Sequence, residues 1–258
     1  MISSLVTGAL IFNEPGWLEL AQRAAEHLVS VHLVDGTLRR SSRDGQVDPA
    51  EGGADDYGAV IEAFTALAAA TGDAAWLERA AELADRAVEA FAHPDGGFYD
   101  AVDTGLFRRP RSLTDNVTPS GTSALIAGLR AVGLLAERPG LVARADEAAA
   151  TTWSIVGEAP RFAGAAMADL MISDEARRGL KPAVAVVVSS DPFSELSRAA
   201  WRLAPAGSIV LTAPEGTEGF GPHLEGRVDG LAYVCRGTVC FDPVSEYSEL
   251  KTPLWSRV

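Results

Sequence analysis

The sequence predicts a mainly α-helical protein made of helix hairpins, followed by a small α/β module. Three observations lead there. Apolar residues recur at helical spacing through residues 1–178, a self-similarity appears at an offset of 59 residues, and β-branched runs begin after Lys181-Pro182. The offset aligns Trp17-Leu18-Glu19 with Trp76-Leu77-Glu78, Ala21 with Ala80, Ala25 with Ala84 and Val29 with Val88. Asp35-Gly36 matches Asp95-Gly96 with one residue of slippage, and a weaker third copy begins at Pro139-Gly140-Leu141. The period fits two helices and their connections, so the repeating unit is an αα-hairpin.

Each element has a local cause. Leu5, Ala9 and Phe12 mark an apolar helix at the start, which reads as one end of a longer array with more chain upstream. A helix around 15–31 follows. From Asp56 to Ala70, Val60, Ile61, Phe64 and Leu67 share one face, Asp55 or Asp56 caps the first turn and Gly72 stops the last. The next helix starts at Asp73 and buries Leu77, Ala80, Ala84, Ala87, Val88 and Phe91. Thr118 as N-cap and Pro119 as first helical residue open another, with Leu125, Leu129 and Val132 inward. Helices around 140–156 and 162–177 complete the set. The many alanines allow close approach in two layers, as in an α/α toroid or solenoid. Beyond them, 179–258 reads as the α/β module, with a buried strand at 183–188, a helix at 193–203, a strand at 208–212 and a hairpin at 230–240.

Composition excludes several classes of function. A net charge of -13 argues against a nucleic-acid binder, since phosphate neutralisation needs clustered Lys and Arg, and no apolar run approaches the ~20 residues of a membrane helix. The start has no basic segment of a secretory signal, and two cysteines without a signal point to a reducing, cytoplasmic setting. His27, His32, His93 and His223 form no metal-ligand spacing, so no metal is expected. No Walker loop, GxGxxG or GxSxG is present, so no cofactor is expected either.

The connections within hairpins are short, as at Thr71-Gly72-Asp73, whereas His32 to Ala54 and His93 to Val117 are long. Long loops in compact domains often carry function, and alternate connections fall on one rim. Asp56 and Asp115 are therefore the candidate acid and base, each beside a helix N-terminus that stabilises a carboxylate. Tyr57, Arg39, Arg43, Arg109, Tyr99 and Ser120 are the candidate substrate-binding residues around them. The structural alternative makes the aspartates N-caps paired with the arginines, and Phe98 and Tyr99 core aromatics after the Gly96-Gly97 turn. A turn at Gly237-Thr238 puts Arg236 opposite Val239 and Cys235 opposite Cys240; their C-x4-C spacing is no redox signature, and buried free thiols are expected.

A family likeness rests on Leu38-Arg39-Arg40-Ser41, Asp55-Asp56-Tyr57, Gly96-Gly97-Phe98, Thr118-Pro119-Ser120-Gly121 and Ala232-Tyr233-Val234-Cys235, in that order across residues 3–251. The chain resembles the C-terminal half of the thioredoxin-domain-containing proteins related to spermatogenesis-associated protein 20. That likeness implies an (α/α)6 barrel similar to N-acylglucosamine 2-epimerases and six-hairpin glycosidases, here a partial (α/α)6 toroid lacking the thioredoxin-like domain and the first hairpins. Asp56, Tyr57, Asp115, Pro119, Ser120 and Gly121 match the family's pattern, whereas Asn116, Val117 and Thr122 depart from it. The expected function is carbohydrate-active or sugar-binding, with a small sugar or sugar derivative as ligand. If catalytic, it would be isomerase, epimerase or glycoside hydrolase-like. The competing reading is a non-catalytic interaction module, and a redox role for the cysteines ranks last. Open ends of a partial toroid imply self-association, or a partner supplying the missing hairpins.

Overall fold

A computed structural model of the chain describes residues 1–103, 105 and 107–256, so the end of the expected α/β module, 257–258, lies outside the described residues. The protein is mainly helical, with a small sheet. Helices α1 (Ile2–Phe12) and α2 (Pro15–His27) form one hairpin, and α3 (Ala54–Thr71) and α4 (Ala74–Phe91) a second. A third pairs α5 (Gly121–Leu135) with α6 (Pro139–Ala150), and α7 (Trp153–Glu158) and α8 (Gly164–Arg177) follow. Helix α3 touches both α1 and α5, and α5 touches α8, so the first helices of the hairpins stand in a row continued by α8.

Local chemistry sets the helix ends. Gly72 closes α3 at φ 68°, a left-handed conformation in which glycine has no Cβ clash, and Asp73 then caps α4 by accepting the Ala75 N–H at 3.0 Å. At the start of α3 the cap is Gly53 rather than an aspartate; Asp56 closes that turn by accepting the Gly53 N–H at 2.8 Å. Helix α5 likewise begins later than its sequence suggests. Ser120, not Thr118, is its N-cap, with Oγ accepting the Ser123 N–H at 3.2 Å, and Pro119 precedes the helix. The helix expected over 140–156 is broken at Thr151-Thr152, whose hydroxyls donate to the Ala148 and Ala149 carbonyls.

Glycine as well as alanine brings the row together. A Cβ on Gly58 of α3 would lie 2.3 Å from the Ala124 carbonyl carbon, and one on Gly128 of α5 would lie 2.8 Å from the Gly58 oxygen. The two backbones are in direct contact, so no side chain fits between them.

The first long connection is itself structured. Strands β1 (Leu33–Val34) and β2 (Thr37–Leu38) pair, as do β3 (Ser42–Arg43) and β4 (Gln46–Val47). Their turns, Asp35-Gly36 and Asp44-Gly45, hold positive φ at both central residues, the geometry that suits the twist of a tight hairpin.

The C-terminal sheet has the order β6-β5-β7-β8, with β5 (Val184–Val188) parallel to β6 (Ile209–Ala213) and antiparallel to β7 (Ala232–Arg236), beside β8 (Val239–Cys240). Helix α9 (Glu195–Leu203) makes the parallel crossover, and α10 (Lys251–Trp255) ends the described chain. One sheet face, with Val184, Val186, Val188 and Leu211, joins the helical core directly. The other, with Ala185, Val187, Val210 and Val234, packs on Ala199, Ala200, Leu250 and Leu254. The hydrophobic core therefore runs without interruption across position 178.

The cysteine expectation needs correction. The register is the expected one, Cys235 opposite Cys240 and Arg236 opposite Val239, but the cysteines form a disulfide and are not free. Direct cross-strand pairing brings the sulfurs within bonding reach, and Cys240 is exposed on the edge strand rather than buried.

Candidate functional site

Small side chains on the row leave space along its inner face. Ala59, Ala124, Ala127, Ala165 and Ala168 line a groove of about 570 Å³ that also takes in Arg39, Arg40, Asp55, Asp56, Glu62 and Asp169. A second space of about 340 Å³, covered by Trp201 and the α9–β6 connection, continues past Thr65 and Arg130. Glu62 and Asp169 line both, so the two spaces meet at these carboxyls.

At the rim, the Asp56 carboxylate is held by the Gly53 N–H, and Arg40 Nε stands 3.9 Å from it. Burial raises the Asp56 pKa, while the Gly53 N–H and Arg40 oppose that shift and Asp55 adds to it. Arg39 also borders the groove, with Nη1 donating to the Pro49 carbonyl.

The interior of the groove is less well satisfied. Asp169 of α8 is 6% exposed; Arg130 Nη1 lies 3.6 Å from its Oδ1, and Oδ2 is buried without a hydrogen-bond partner. Burial pushes its pKa up to about 7, against the pull of Arg130 and Ser123 and with added repulsion from Asp115. Arg130 makes its shorter contacts elsewhere, at 3.0 Å to both Asp146 Oδ1 and Ser173 Oγ. Glu62 of α3 is accessible to water within the groove, yet surrounding protein desolvates it enough to raise its pKa. Two carboxyls whose pKa values burial raises, Asp169 to about 7, thus share one concave space, an arrangement suited to acid–base work.

The remaining sequence candidates lie elsewhere. Tyr57 is fully buried; its hydroxyl donates to Glu51 at 2.8 Å and accepts from the Leu38 N–H and from Arg86 Nε, which leaves nothing for a ligand. Asp115 accepts the Ser120 N–H at 2.9 Å and the Ala165 N–H at 2.8 Å, tying the loop to the start of α8. Both of its oxygens are occupied by backbone, and it is not part of the groove wall. Ser120 is a buried cap. Tyr99 and Arg109 stack on each other at 4.0 Å in a separate pocket of about 530 Å³, and Arg109 donates to the Ala90 and Ala101 carbonyls. Arg43 is almost wholly exposed on β3, with Asp44 at 3.7 Å. Among the proposed site residues, the groove brings together Asp56 and Arg39.

Reading the helix starts alone missed Glu62, Arg130 and Asp169. A signal was present: Asp169 recurs with Ala166, Leu170 and Ser173 on the buried face of α8, and Arg130 follows Leu129 in an otherwise apolar helix. Among the described residues, no group of three or more His, Cys, Asp or Glu is placed to hold a metal ion, and no helix is long and apolar enough to cross a membrane. No protein-family model and no curated protein matches the chain.

Proposed function

We propose that the chain binds a small sugar or sugar derivative in the inner groove of a partial (α/α)6 toroid, and that Asp169 and Glu62 carry proton transfer there. The observation that supports this most is Asp169, a buried carboxyl with a pKa of about 7, an Oδ2 without a hydrogen-bond partner and a place in the wall of the groove that Glu62 also lines. In its neutral form Asp169 can donate a proton to a carbonyl or glycosidic oxygen. Glu62 can receive one from a carbon or hydroxyl. Asp56, Arg39 and Arg40 at the rim offer hydrogen bonds to hydroxyl groups. Isomerisation, epimerisation and glycoside hydrolysis all use such a pair.

A thermal-shift series with neutral hexoses, amino sugars and uronic acids tests the reading. At tenfold saturation a specific sugar should raise the melting temperature by about 3 °C, and Asp169→Asn with Glu62→Gln should abolish the rise. Silence from every sugar, or an undiminished shift in the double variant, would overturn it.

A second reading, an interaction module, is favoured by exposed large apolar side chains near both ends of the row. Phe12, Trp17 and Leu20 stand out on the first hairpin, and Trp153, Phe162 and Met171 on α7, α8 and the turn between them. Light scattering at rising concentration decides it: growth in mass supports self-association, and a constant monomer mass removes it.

A further inference from the structure

A separate cavity holds chemistry that the groove does not use. It measures about 730 Å³, lies between α5, α6, α8 and the β7–β8 hairpin, and is lined in part by Leu134, Val142, Ile172 and the disulfide of Cys235 and Cys240. The two sulfurs differ in surroundings. Cys235 is 8% exposed, while Cys240 is open to solvent on the edge strand. Arg227 Nη2 donates to Cys235 Sγ at 3.3 Å, and its guanidinium stacks 4.7 Å over the Tyr233 ring. Its other terminal nitrogen, Nη1, is buried with no hydrogen-bond partner.

That placement is costly if the disulfide is only a staple. A neutral disulfide sulfur is a weak acceptor, so it offsets little of the desolvation of a guanidinium. Burial already lowers the Arg227 pKa, with Tyr233 and Glu137 opposing the shift. A thiolate at Cys235 would turn the weak Nη2 contact into a charge-assisted one beside the buried guanidinium, and a nearby arginine lowers the energy of a thiolate and makes it a better leaving group.

We propose that Cys235 and Cys240 form a thiol–disulfide exchange site for a low-molecular-weight thiol, with Cys240 the sulfur attacked and Arg227 holding the departing thiolate of Cys235. In the first step the incoming thiolate forms a bond to Cys240 Sγ. The Cys235–Cys240 bond breaks, and its electron pair leaves on Cys235 Sγ beside Arg227. In the second, another thiolate attacks the external sulfur of the mixed disulfide and releases Cys240, which takes a proton from water. Two external thiolates are oxidised to one disulfide, and the protein disulfide is reduced to the Cys235 thiolate and the Cys240 thiol. Lys181 also lines the cavity and favours a thiol bearing a carboxylate, while Glu137, Asp146, Arg130 and His223 are the other charged or titratable groups facing it.

Glutathione is the probe. Protein purified without reductant is incubated with it, quenched by alkylation and mapped by mass spectrometry. The expected intermediate carries glutathione on Cys240; an adduct confined to Cys235 overturns the assignment, and that arm needs no variant. Arg227→Gln should slow reduction about tenfold and raise the pH midpoint for Cys235 alkylation by about one unit, and Arg227→Lys should restore most of both. Equal rates and equal midpoints in folded Arg227→Gln protein, or a native disulfide untouched by millimolar glutathione, would refute the proposal.

Discussion

The helix starts and the interior of the groove both carry carboxyls, but the two sets are held differently. At the helix starts backbone N–H groups hold them: Asp115 accepts two, one on each oxygen, and Asp56 accepts the Gly53 N–H. In the interior, Asp169 has one oxygen without a partner and an arginine that sits closer to Asp146 than to it. The rim groups hold loops to helix starts. The interior group is kept near neutrality by burial, and an unsatisfied buried carboxyl is what a ligand hydroxyl or a transferable proton would meet. Position at a helix N-terminus is therefore a weaker guide to chemistry than an incomplete set of hydrogen bonds.

The largest effect expected from this contrast belongs to Asp169. Its folded pKa of about 7 lies above the unfolded carboxyl value near ~3.9, so the folded state holds the proton more tightly. The stability this gives is fully present below the unfolded value and is lost as pH rises through about 7. Asp169→Asn cannot ionise and leaves Arg130 with Asp146 and Ser173. The variant should match the wild type near pH 4 and exceed it by about 2–4 kcal/mol at pH 8, read from urea unfolding at both pH values. A variant less stable at pH 8 would mean that Asp169 is an ionised partner of Arg130, and the contrast with the rim would collapse.

Asp115→Ala probes the other side and comes next in size. Two N–H groups, of Ser120 and Ala165, lose a charged acceptor, and water recovers part of the loss because Asp115 is only half-buried. The expected cost is about 2–3 kcal/mol, with any sugar-induced thermal shift retained. Unchanged stability together with a lost sugar shift would return Asp115 to the site and reverse the comparison.

What the sequence disclosed follows from the range of the interactions concerned. The hairpins were legible because the cause is local: Trp17 and Trp76 repeat, Gly72 stops α3 and Asp73 caps α4. The sheet was legible because four of the five residues of Val184–Val188 are β-branched, and the Cys235–Cys240 register followed from the turn. The contact of Gly58 with the α5 backbone was not legible, since a glycine inside a helix gives no hint of its neighbour. The groove was only half legible. Asp56 and Arg39 sit in segments with a recognisable local role, whereas Glu62 and Asp169 come from helices far apart in sequence and acquire their character from shared burial.

Tyr57→Phe gives the smallest effect and the finest discrimination. The ring stays packed against Phe91 at 5.4 Å, so the core is unchanged and only the hydroxyl is removed. Glu51 keeps its bidentate contact with Arg86, but the Leu38 N–H loses its acceptor. One unsatisfied backbone donor next to the β2 strand should cost about 1 kcal/mol in chemical unfolding. Because β2 leads directly into Arg39 and Arg40, a sugar shift reduced only slightly in Tyr57→Phe would mark Tyr57 as a positioning residue for the rim. A shift abolished without loss of stability would place its hydroxyl on the ligand, and the buried cluster of Tyr57, Glu51 and Arg86 would have to open for that to happen.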